Sequence, residues 1–224
     1  MSHSVRRHLR LEVGAYDATI RRFIPGYEEM LSVAAQAVAA VQPKRVLDLG
    51  AGTGSLTEAL LDRTEDGMVE LWDVDLEMLA QATARLERFG ERANPVVRSF
   101  FDPFPPCDAI MASLSLHHIP TLGVKAEVFR RAFEAIRPGG VFVNADATMP
   151  AAGPERDATW RAWADHMVAN GIEESRAWEH FEDWAEEDTY FPLEDELAAL
   201  VEAGFDPRCE WREAATTVVV AGRP

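Results

Sequence analysis

The sequence predicts an α/β fold built on a doubly wound, mostly parallel β-sheet. Short apolar runs typical of buried strands alternate with segments of helical periodicity between residues 45 and 145. The first run, Arg45–Leu49, passes into the glycine-rich turn Gly50–Gly54, and a helix follows. Two further strand-like runs, Pro207–Trp211 and Thr216–Ala221, come after the last predicted helix and indicate an antiparallel hairpin.

The other elements follow in order along the chain. Two helices between residues 16 and 41, interrupted at Pro25 and Gly26, precede the first strand. Further strands are expected at 69–72, 95–97, 108–113 and 141–145, and helices at 55–62, 76–86, 124–136 and 194–203. The segment Arg137–Gly140 is expected to close the helix before the fifth strand. A tryptophan-rich stretch, residues 154–184, breaks the alternation and predicts a two-helix insertion.

Composition favours one globular domain and a small-molecule partner. The chain has 224 residues, of which 47% are hydrophobic and 27% are charged. Its net charge of -16 would repel a nucleic acid backbone or an anionic membrane surface. The basic stretch Met1–Arg10 has no apolar signal core, so we expect a cytoplasmic protein, either a monomer or a homodimer. Cys107 and Cys209 lack the spacing of metal ligands.

The strongest functional signal is the segment Val46–Gly54, in which an acid lies near the end of a buried strand and three glycines lead into a helix. Gly50 and Gly52 let the backbone approach a ligand, and Asp48 favours a ligand that carries an ammonium group. The third glycine comes one residue too early for the dinucleotide-binding pattern GxGxxG. This spacing argues against a nicotinamide-dependent oxidoreductase.

A second acid follows the second strand, in Trp72–Leu79. The carboxylate of Asp75 is suited to accept hydrogen bonds from both hydroxyl groups of a ribose. Asp73 competes for this role. The alternative is that the acid is simply solvated or caps the following helix, because its position in the sequence is compatible with either role.

Together these segments resemble the class I S-adenosylmethionine-dependent methyltransferases over nearly the whole chain. Val46–Gly54 matches the first motif of that family, and Val74–Leu79 matches its ribose-binding motif. Asp108–His118 and Arg137–Val143 follow in the family's order. The resemblance implies a Rossmann-like seven-stranded sheet within one domain, residues 1–224. Its expected parts are a helical cap (1–42), a cofactor-binding core (43–148), a helical lid (149–190) and a closing helix with hairpin (191–224).

The resemblance also implies S-adenosyl-L-methionine as cofactor and S-adenosyl-L-homocysteine as product. The amino-acid part of the cofactor is expected at Gly50–Gly52 and its ribose at Asp75. Family members often carry an acid where this chain has Ser99, so we favour Ser99 and Phe100 at the adenine, with Asp102 as the alternative. The expected cofactor-binding residues are Tyr16, Arg22, Asp48, Gly50, Ala51, Gly52, Asp75, Leu76, Ser99, Phe100 and Ser113.

The cap and the insertion are expected to close this site. The segment 15–27 is similar to the cap of related small-molecule methyltransferases, where Tyr16 would cover the cofactor and Arg22, or else Arg21, would bind its carboxylate. The insertion lies where the family has lids over the acceptor pocket. The lid residues expected to contact the substrate are Trp160, Trp163 and Arg176. Aromatic residues at helical spacing also form cores, which is the alternative for both tryptophans.

Two histidines, His117 and His118, follow the fourth strand, near the position of the reactive methyl group in the family. Either could act as a general base near neutral pH, or could form structural hydrogen bonds at a helix start. Asp48, Asn144 and Asp146 lack the spacing of a magnesium site, so no metal is expected.

We therefore expect an enzyme that transfers a methyl group to an oxygen, nitrogen or carbon nucleophile of a small molecule. Two alternatives remain open. The lid and the Pro25–Tyr27 element also resemble carboxy-S-adenosylmethionine synthase, which would mean transfer of another group. A non-catalytic cofactor-binding subunit is the second alternative.

Overall fold

Seven strands form one sheet in the computed structural model, which describes residues 16–224. In chain order they are β1 (Arg45–Leu49), β2 (Met68–Asp73), β3 (Ala93–Val97), β4 (Cys107–Ser113), β5 (Ile136–Ala147), β6 (Asp206–Glu213) and β7 (Thr216–Gly222). Their order across the sheet is β3-β2-β1-β4-β5-β7-β6. Strand β7 runs antiparallel to β5 and β6, and the other neighbours are parallel. The predicted sheet with its antiparallel hairpin is confirmed.

The helices of the described part are α1 (Tyr16–Phe23), α2 (Tyr27–Ala39), α3 (Ser55–Leu61), α4 (Leu76–Leu86), α5 (Leu122–Ala135), α6 (Pro154–Ala169), α7 (Glu174–Trp184) and α8 (Leu193–Ala203). Short 3-10 helices span Glu87–Arg92 and Leu116–His118. Within residues 16–224, no helix has the length and apolarity needed to cross a membrane. The stretch Met1–Arg10, on which the expected compartment rests, lies outside the described residues.

Helices cover both faces of the sheet because side chains alternate along each strand. Leu47 and Phe142 belong to a core layer that α5 and α8 complete. Val46 and Val143 belong to the opposite layer, which contains buried residues of α2, α3 and α4. The lid helices α6 and α7 join this second layer through residues such as Met167. The lid helices therefore pack on the same face of the sheet as α2, α3 and α4.

One predicted boundary is wrong. The sequence places the fifth strand at Val141, after a turn at Arg137–Gly140, but β5 begins at Ile136. Ile136 pairs with Cys107 and Val141 pairs with Ala109, so the residues between them form an irregular bulge inside the strand. The glycine pair bends the strand instead of closing α5.

Candidate functional site

The sheet reverses its strand order between β1 and β4, which are neighbours at its centre. In doubly wound sheets, such a switch point opens a crevice at the carboxyl ends of the strands, and ligands bind there. Ser115, just beyond β4, donates its hydroxyl to the carbonyl oxygen of Leu49 at 2.7 Å. This bond ties the two strand ends together and sets the floor of the crevice.

The glycine loop, Gly50–Gly54, follows β1 and has a backbone conformation that other residues rarely adopt. The φ angles of Gly50 and Gly52 are 65° and 55°. A Cβ atom at Gly50 would lie 2.5 Å from the Cβ of Ser115. A Cβ atom at Gly52 would approach only the Cε of Met78, at 3.2 Å. The loop is therefore closely packed at Gly50 and open at Gly52.

Hydrogen bonds hold this loop against the end of β2. The amides of Gly50 and Ala51 donate to the carbonyl oxygen of Trp72, at 2.8 and 3.0 Å. The amide of Gly52 donates to the Oδ2 atom of Asp73 at 2.8 Å. Asp73, the last residue of β2, is thus the acid that lies against the glycine loop.

The structure gives Asp75 a role as a helix cap, and its expected contact with the ribose stays a prediction. Its Oδ1 atom accepts hydrogen bonds from the amides of Glu77 (2.9 Å) and Met78 (3.4 Å), so Asp75 caps the start of α4. Asp73 also accepts a bond from the Asp75 amide, at 2.8 Å. Burial raises the pKa of Asp73, against the backbone hydrogen bonds that lower it. The sequence could not separate the two acids because both follow the same strand.

Asp48 is buried near the end of β1, with 1% of its surface exposed. Its Oδ2 atom accepts the hydroxyl of Thr57 at 2.6 Å, and its Oδ1 atom has no hydrogen-bond partner within residues 16–224. Burial raises the pKa of Asp48 to about 7, although the Thr57 bond opposes this. A buried oxygen without a partner destabilises the folded protein. A cationic ligand would supply that partner.

The turn after β3 contains the residues expected at the adenine. The amide of Ser99 donates to Oδ2 of Asp102 at 3.0 Å, and Oγ of Ser99 accepts the amide of Phe101 at 3.1 Å. Phe100 is half-buried and meets Phe101 edge to face, with ring centres 4.7 Å apart. Asp102 therefore caps this turn. The adenine contacts of Ser99 and Phe100 stay predictions.

Two exposed apolar side chains, Val74 and Leu76, lie next to Asp73 and Asp75 in the sequence. Val74 is 39% exposed and Leu76, the first residue of α4, is 67% exposed. Ser113, the last residue of β4, is half-buried and pairs with Ala145 of β5. Leu76 and Ser113 were both expected at the cofactor, and these contacts also stay predictions.

Helix α1 lies over the glycine loop. Its Asp17 accepts the hydroxyl of Thr53 at 2.7 Å and forms an ion pair with Arg85 of α4. Tyr16 is partly buried beside it, and burial raises its pKa, helped by the negative charges of Asp17 and Asp73. Helix α1 is thus fastened to the glycine loop, and the expected contact of Tyr16 with the cofactor stays a prediction. The sequence analysis missed Asp17, which no motif distinguishes from other surface acids.

Arg22 has partners within the protein, and its expected contact with the cofactor carboxylate stays a prediction. Its Nε and Nη2 atoms donate to the carbonyl oxygens of Asn170 (2.9 Å) and Gly171 (3.0 Å) in the turn between α6 and α7. It lines a groove of about 520 Å³ between α1 and the lid, together with Arg176. Because its guanidinium is already bound to two carbonyls, Arg22 tethers the cap to the lid.

The lid residues expected at the substrate have partners within the protein, and their contacts with a substrate stay predictions. Trp163 is 1% exposed, and its Nε1 atom donates to the carbonyl oxygen of Phe23 at 2.7 Å. Trp160 stacks on it, with ring centres 5.6 Å apart and planes 8° from parallel. Arg176 is exposed and pairs with Glu179 at 2.8 Å. The tryptophans hold the lid's own core together, since aromatic residues at helical spacing pack inward, and Arg176 forms a surface ion pair.

Beyond β4, two histidines meet acids from distant parts of the chain. The Nδ1 atom of His117 lies 2.5 Å from Oδ1 of Asp146 in β5, and its Nε2 atom lies 3.7 Å from Oδ1 of Asp188. The Nδ1 atom of His118 lies 3.0 Å from that same Asp188 oxygen. Tyr190 donates its hydroxyl to Oδ2 of Asp188 at 2.6 Å. These five residues form what we call the histidine cluster.

The charges of this cluster argue against His117 as a general base. Burial lowers the pKa of His117, but the carboxylates of Asp146 and Asp188 outweigh it and raise the pKa to about 9. At neutral pH, His117 therefore already carries the proton that a base would have to accept. The catalytic role of His118 stays a prediction.

The sequence analysis missed Asp188 and Tyr190 and did not connect Asp146 with His117. Asp188 and Tyr190 lie in the segment between α7 and α8, which the amide of Thr189 fastens to the carbonyl oxygen of His117 at 2.8 Å. No spacing rule links this segment to the histidines, because only the tertiary fold brings them together.

Comparisons with known proteins agree with this architecture. A sequence profile for a methyltransferase domain matches residues 47–142. An uncharacterized methyltransferase of Geobacillus kaustophilus is 30% identical over 190 residues, which cover 84% of this chain and 79% of that protein. The chain therefore belongs to the class I S-adenosylmethionine-dependent methyltransferases.

Other relatives match over less of their length. The trans-aconitate 2-methyltransferase of Mycolicibacterium gilvum is 37% identical over 83 residues, which cover 37% of this chain and 31% of that enzyme.

Two solved structures share the fold. An O-methyltransferase family protein from Burkholderia thailandensis superposes with a TM-score of 0.69 at 18% identity, covering 94% of this chain and 59% of that one. An O-methyltransferase from neocarzinostatin biosynthesis, solved with S-adenosylmethionine and 2-hydroxy-5-methyl naphthoic acid, has a TM-score of 0.59 at 22% identity, covering 85% of this chain and 52% of that one. The chain thus spans little more than half the length of these structural neighbours.

Proposed function

We propose that the protein transfers a methyl group from S-adenosyl-L-methionine to an oxygen, nitrogen or carbon atom of a small molecule. The observation that carries the proposal is the glycine loop with two acids next to it, Asp48 in β1 and Asp73 at the end of β2. The loop is open at Gly52, and Asp48 has a buried oxygen without a partner in residues 16–224. Both features fit the amino-acid part of the cofactor, because its ammonium group would pair with Asp48.

Asp73 is proposed to hold the ribose. A carboxylate offers about four acceptor sites, and the amides of Gly52 and Asp75 use two of them. The Val74 amide also acts on Asp73, so at least one acceptor site remains for a ribose hydroxyl. The exposed side chain of Val74, next to Asp73, and the Ser99–Phe100 turn offer surface for the flat adenine ring.

When bound, the cofactor supplies a methyl group on a positively charged sulfur. The chain's own contribution is to align an acceptor with that group and to exclude water. Helix α1 covers the loop through the bonds of Asp17 to Thr53 and Arg85. The bond from Trp163 to the Phe23 carbonyl fixes the lid to the same helix. Helix α1 therefore contacts both the glycine loop and the lid.

Two relatives support an acceptor of small size. One is named for trans-aconitate, and the structural neighbour from neocarzinostatin biosynthesis was solved with a naphthoic acid. The net charge of -16 disfavours a nucleic acid acceptor. The proposal therefore covers small organic acceptors as a class.

The test is to incubate the purified chain with methyl-labelled S-adenosyl-L-methionine and a small-molecule extract, and to weigh the products by mass spectrometry. We expect a labelled product heavier by one methyl group, with release of S-adenosyl-L-homocysteine. Gly52→Arg should abolish both signals, and Asp73→Asn should reduce them at a limiting cofactor concentration. A product carrying another group would favour the carboxy-S-adenosylmethionine synthase alternative. Cofactor binding without any labelled product would favour the non-catalytic subunit.

A further inference from the structure

The histidine cluster also has the composition of a metal site. The potential ligand atoms of His117, His118 and Asp188 all lie within 4.8 Å of one another. Two imidazoles and one carboxylate form a ligand set used for Zn²⁺ and other divalent first-row metals. We propose that these three residues bind one divalent transition-metal ion, represented by Zn²⁺. This proposal goes beyond methyl transfer and does not depend on it.

The spacing of the ligand atoms suits such an ion. Tetrahedral ligands at about 2.0 Å from Zn²⁺ lie roughly 3.3 Å apart. Oδ1 of Asp188 lies 3.0 Å from Nδ1 of His118 and 3.7 Å from Nε2 of His117, so the observed separations bracket that value. Three protein ligands leave at least one position for water or for an oxygen of a bound molecule.

Hydrogen bonds orient two of the three ligands from behind. Asp146 holds Nδ1 of His117 at 2.5 Å and is itself fixed by the amide of Ala147 at 2.9 Å. This arrangement leaves Nε2 of His117 for a metal, and a carboxylate behind a ligating histidine is a common feature of metal sites. Tyr190 holds the second oxygen of Asp188 in the same way.

Burial of the carboxylates gives a second argument. The side chains of Asp146 and Asp188 are 0% and 4% exposed. Buried carboxylates are paired with a cation or coordinate a metal ion. A divalent ion at the cluster would place positive charge beside them.

The cluster is reachable and lies close to the proposed active site in the fold. The side chain of His118 is 16% exposed, more than those of His117 (9%) and Asp188 (4%), so an ion would enter beside His118. The histidines follow β4 and Asp146 is in β5, at the same edge of the sheet as the glycine loop.

The experiment uses the full chain without an affinity tag, freed of metal by a chelator and titrated with Zn²⁺ alone by calorimetry. Substitution with Co²⁺ and visible absorption spectroscopy then reports on the ligand set. We expect one ion per chain and the ligand-field bands of a bound Co²⁺. His118→Ala and Asp188→Asn should each remove these bands. Asp146→Asn should weaken Zn²⁺ binding by about 10–100-fold.

His166→Ala is the matched control, since His166 lies in α6 outside the cluster, and it should bind Zn²⁺ like the wild type. Circular dichroism checks that each variant is folded. If Asp188→Asn does not fold, the result for His118→Ala alone tests the proposed metal site. The proposal is overturned if the wild type binds no Zn²⁺, or if His118→Ala binds it as tightly as His166→Ala does.

Discussion

Single substitutions of Asp73, at the end of β2, and of Asp75, at the start of α4, separate the proposed ligand contact from the helix cap. Asp73 accepts the amide of Gly52 and lies against the glycine loop, whereas Asp75 accepts two amides at the start of α4. Asp73→Asn should therefore weaken binding of S-adenosyl-L-homocysteine. Asp75→Ala should lower stability and leave binding nearly unchanged.

The expected sizes follow from these contacts. Loss of an N-cap lowers the free energy of unfolding by about 1 kcal/mol, which for a chain of this length lowers the melting temperature by roughly 2–4 °C. A hydrogen bond to a charged acceptor contributes about 1.5–3 kcal/mol. Asparagine can still accept one bond, so Asp73→Asn should reduce affinity by about 10–150-fold.

Two assays measure the two effects side by side. Thermal unfolding followed by circular dichroism gives the stability of each variant, and calorimetric titration gives its dissociation constant for S-adenosyl-L-homocysteine. The assignment of the ribose to Asp73 is refuted if Asp75→Ala loses most of its affinity while Asp73→Asn binds like the wild type.

Three further predictions concern single sites. Ionised Asp48 is required to pair with an ammonium group, and its pKa of about 7 means that its ionised fraction rises about tenfold from pH 6 to pH 8. Calorimetric affinity for S-adenosyl-L-homocysteine should rise by about the same factor, and a flat profile would contradict this role. Gly50→Ala should unfold at lower urea concentration than Gly52→Ala, because both carry left-handed strain of about 1–2 kcal/mol but only Gly50→Ala overlaps Ser115. Equal midpoints would argue against the close packing at Gly50. Lys125→Ala should lose about 3–5 kcal/mol in urea unfolding, because it leaves the carboxylate of Glu196 buried without its partner. Wild-type stability would show that this pair is not buried as described.

The sequence was sufficient for the order of the elements and for the glycine loop. Strands such as Arg45–Leu49 alternate with amphipathic helices, and that periodicity determines which faces are buried. The glycine loop was recognisable from its three closely spaced glycines. The structure gives the physical reason at Gly50, where Ser115 leaves no space for a side chain. The ends of the elements were harder to predict. Strand β5 begins at Ile136, which pairs with Cys107, and so it starts before the glycine pair that was expected to precede it.

Contacts between distant segments could not be predicted. Arg22 and Trp163 were expected to contact ligands. Because α1 docks on the lid, Arg22 donates to the carbonyl of Gly171 and Trp163 donates to the carbonyl of Phe23. No local sequence pattern shows these contacts. The same holds for the histidine cluster, where Asp188 reaches His118 only because the segment after α7 folds back onto the 3-10 helix that follows β4. Asp73 and Asp75 accept hydrogen bonds from different backbone amides, and this difference is visible only in the three-dimensional structure.

The central claim is that the glycine loop and its acids bind S-adenosyl-L-methionine or its product. The most direct measurement is calorimetric titration of the wild type and of Gly52→Arg with S-adenosyl-L-homocysteine. We predict saturable binding to the wild type, and none to folded Gly52→Arg, because the arginine side chain would fill the open part of the loop. A folded wild type that does not bind, or a Gly52→Arg variant that binds equally well, would contradict the claim.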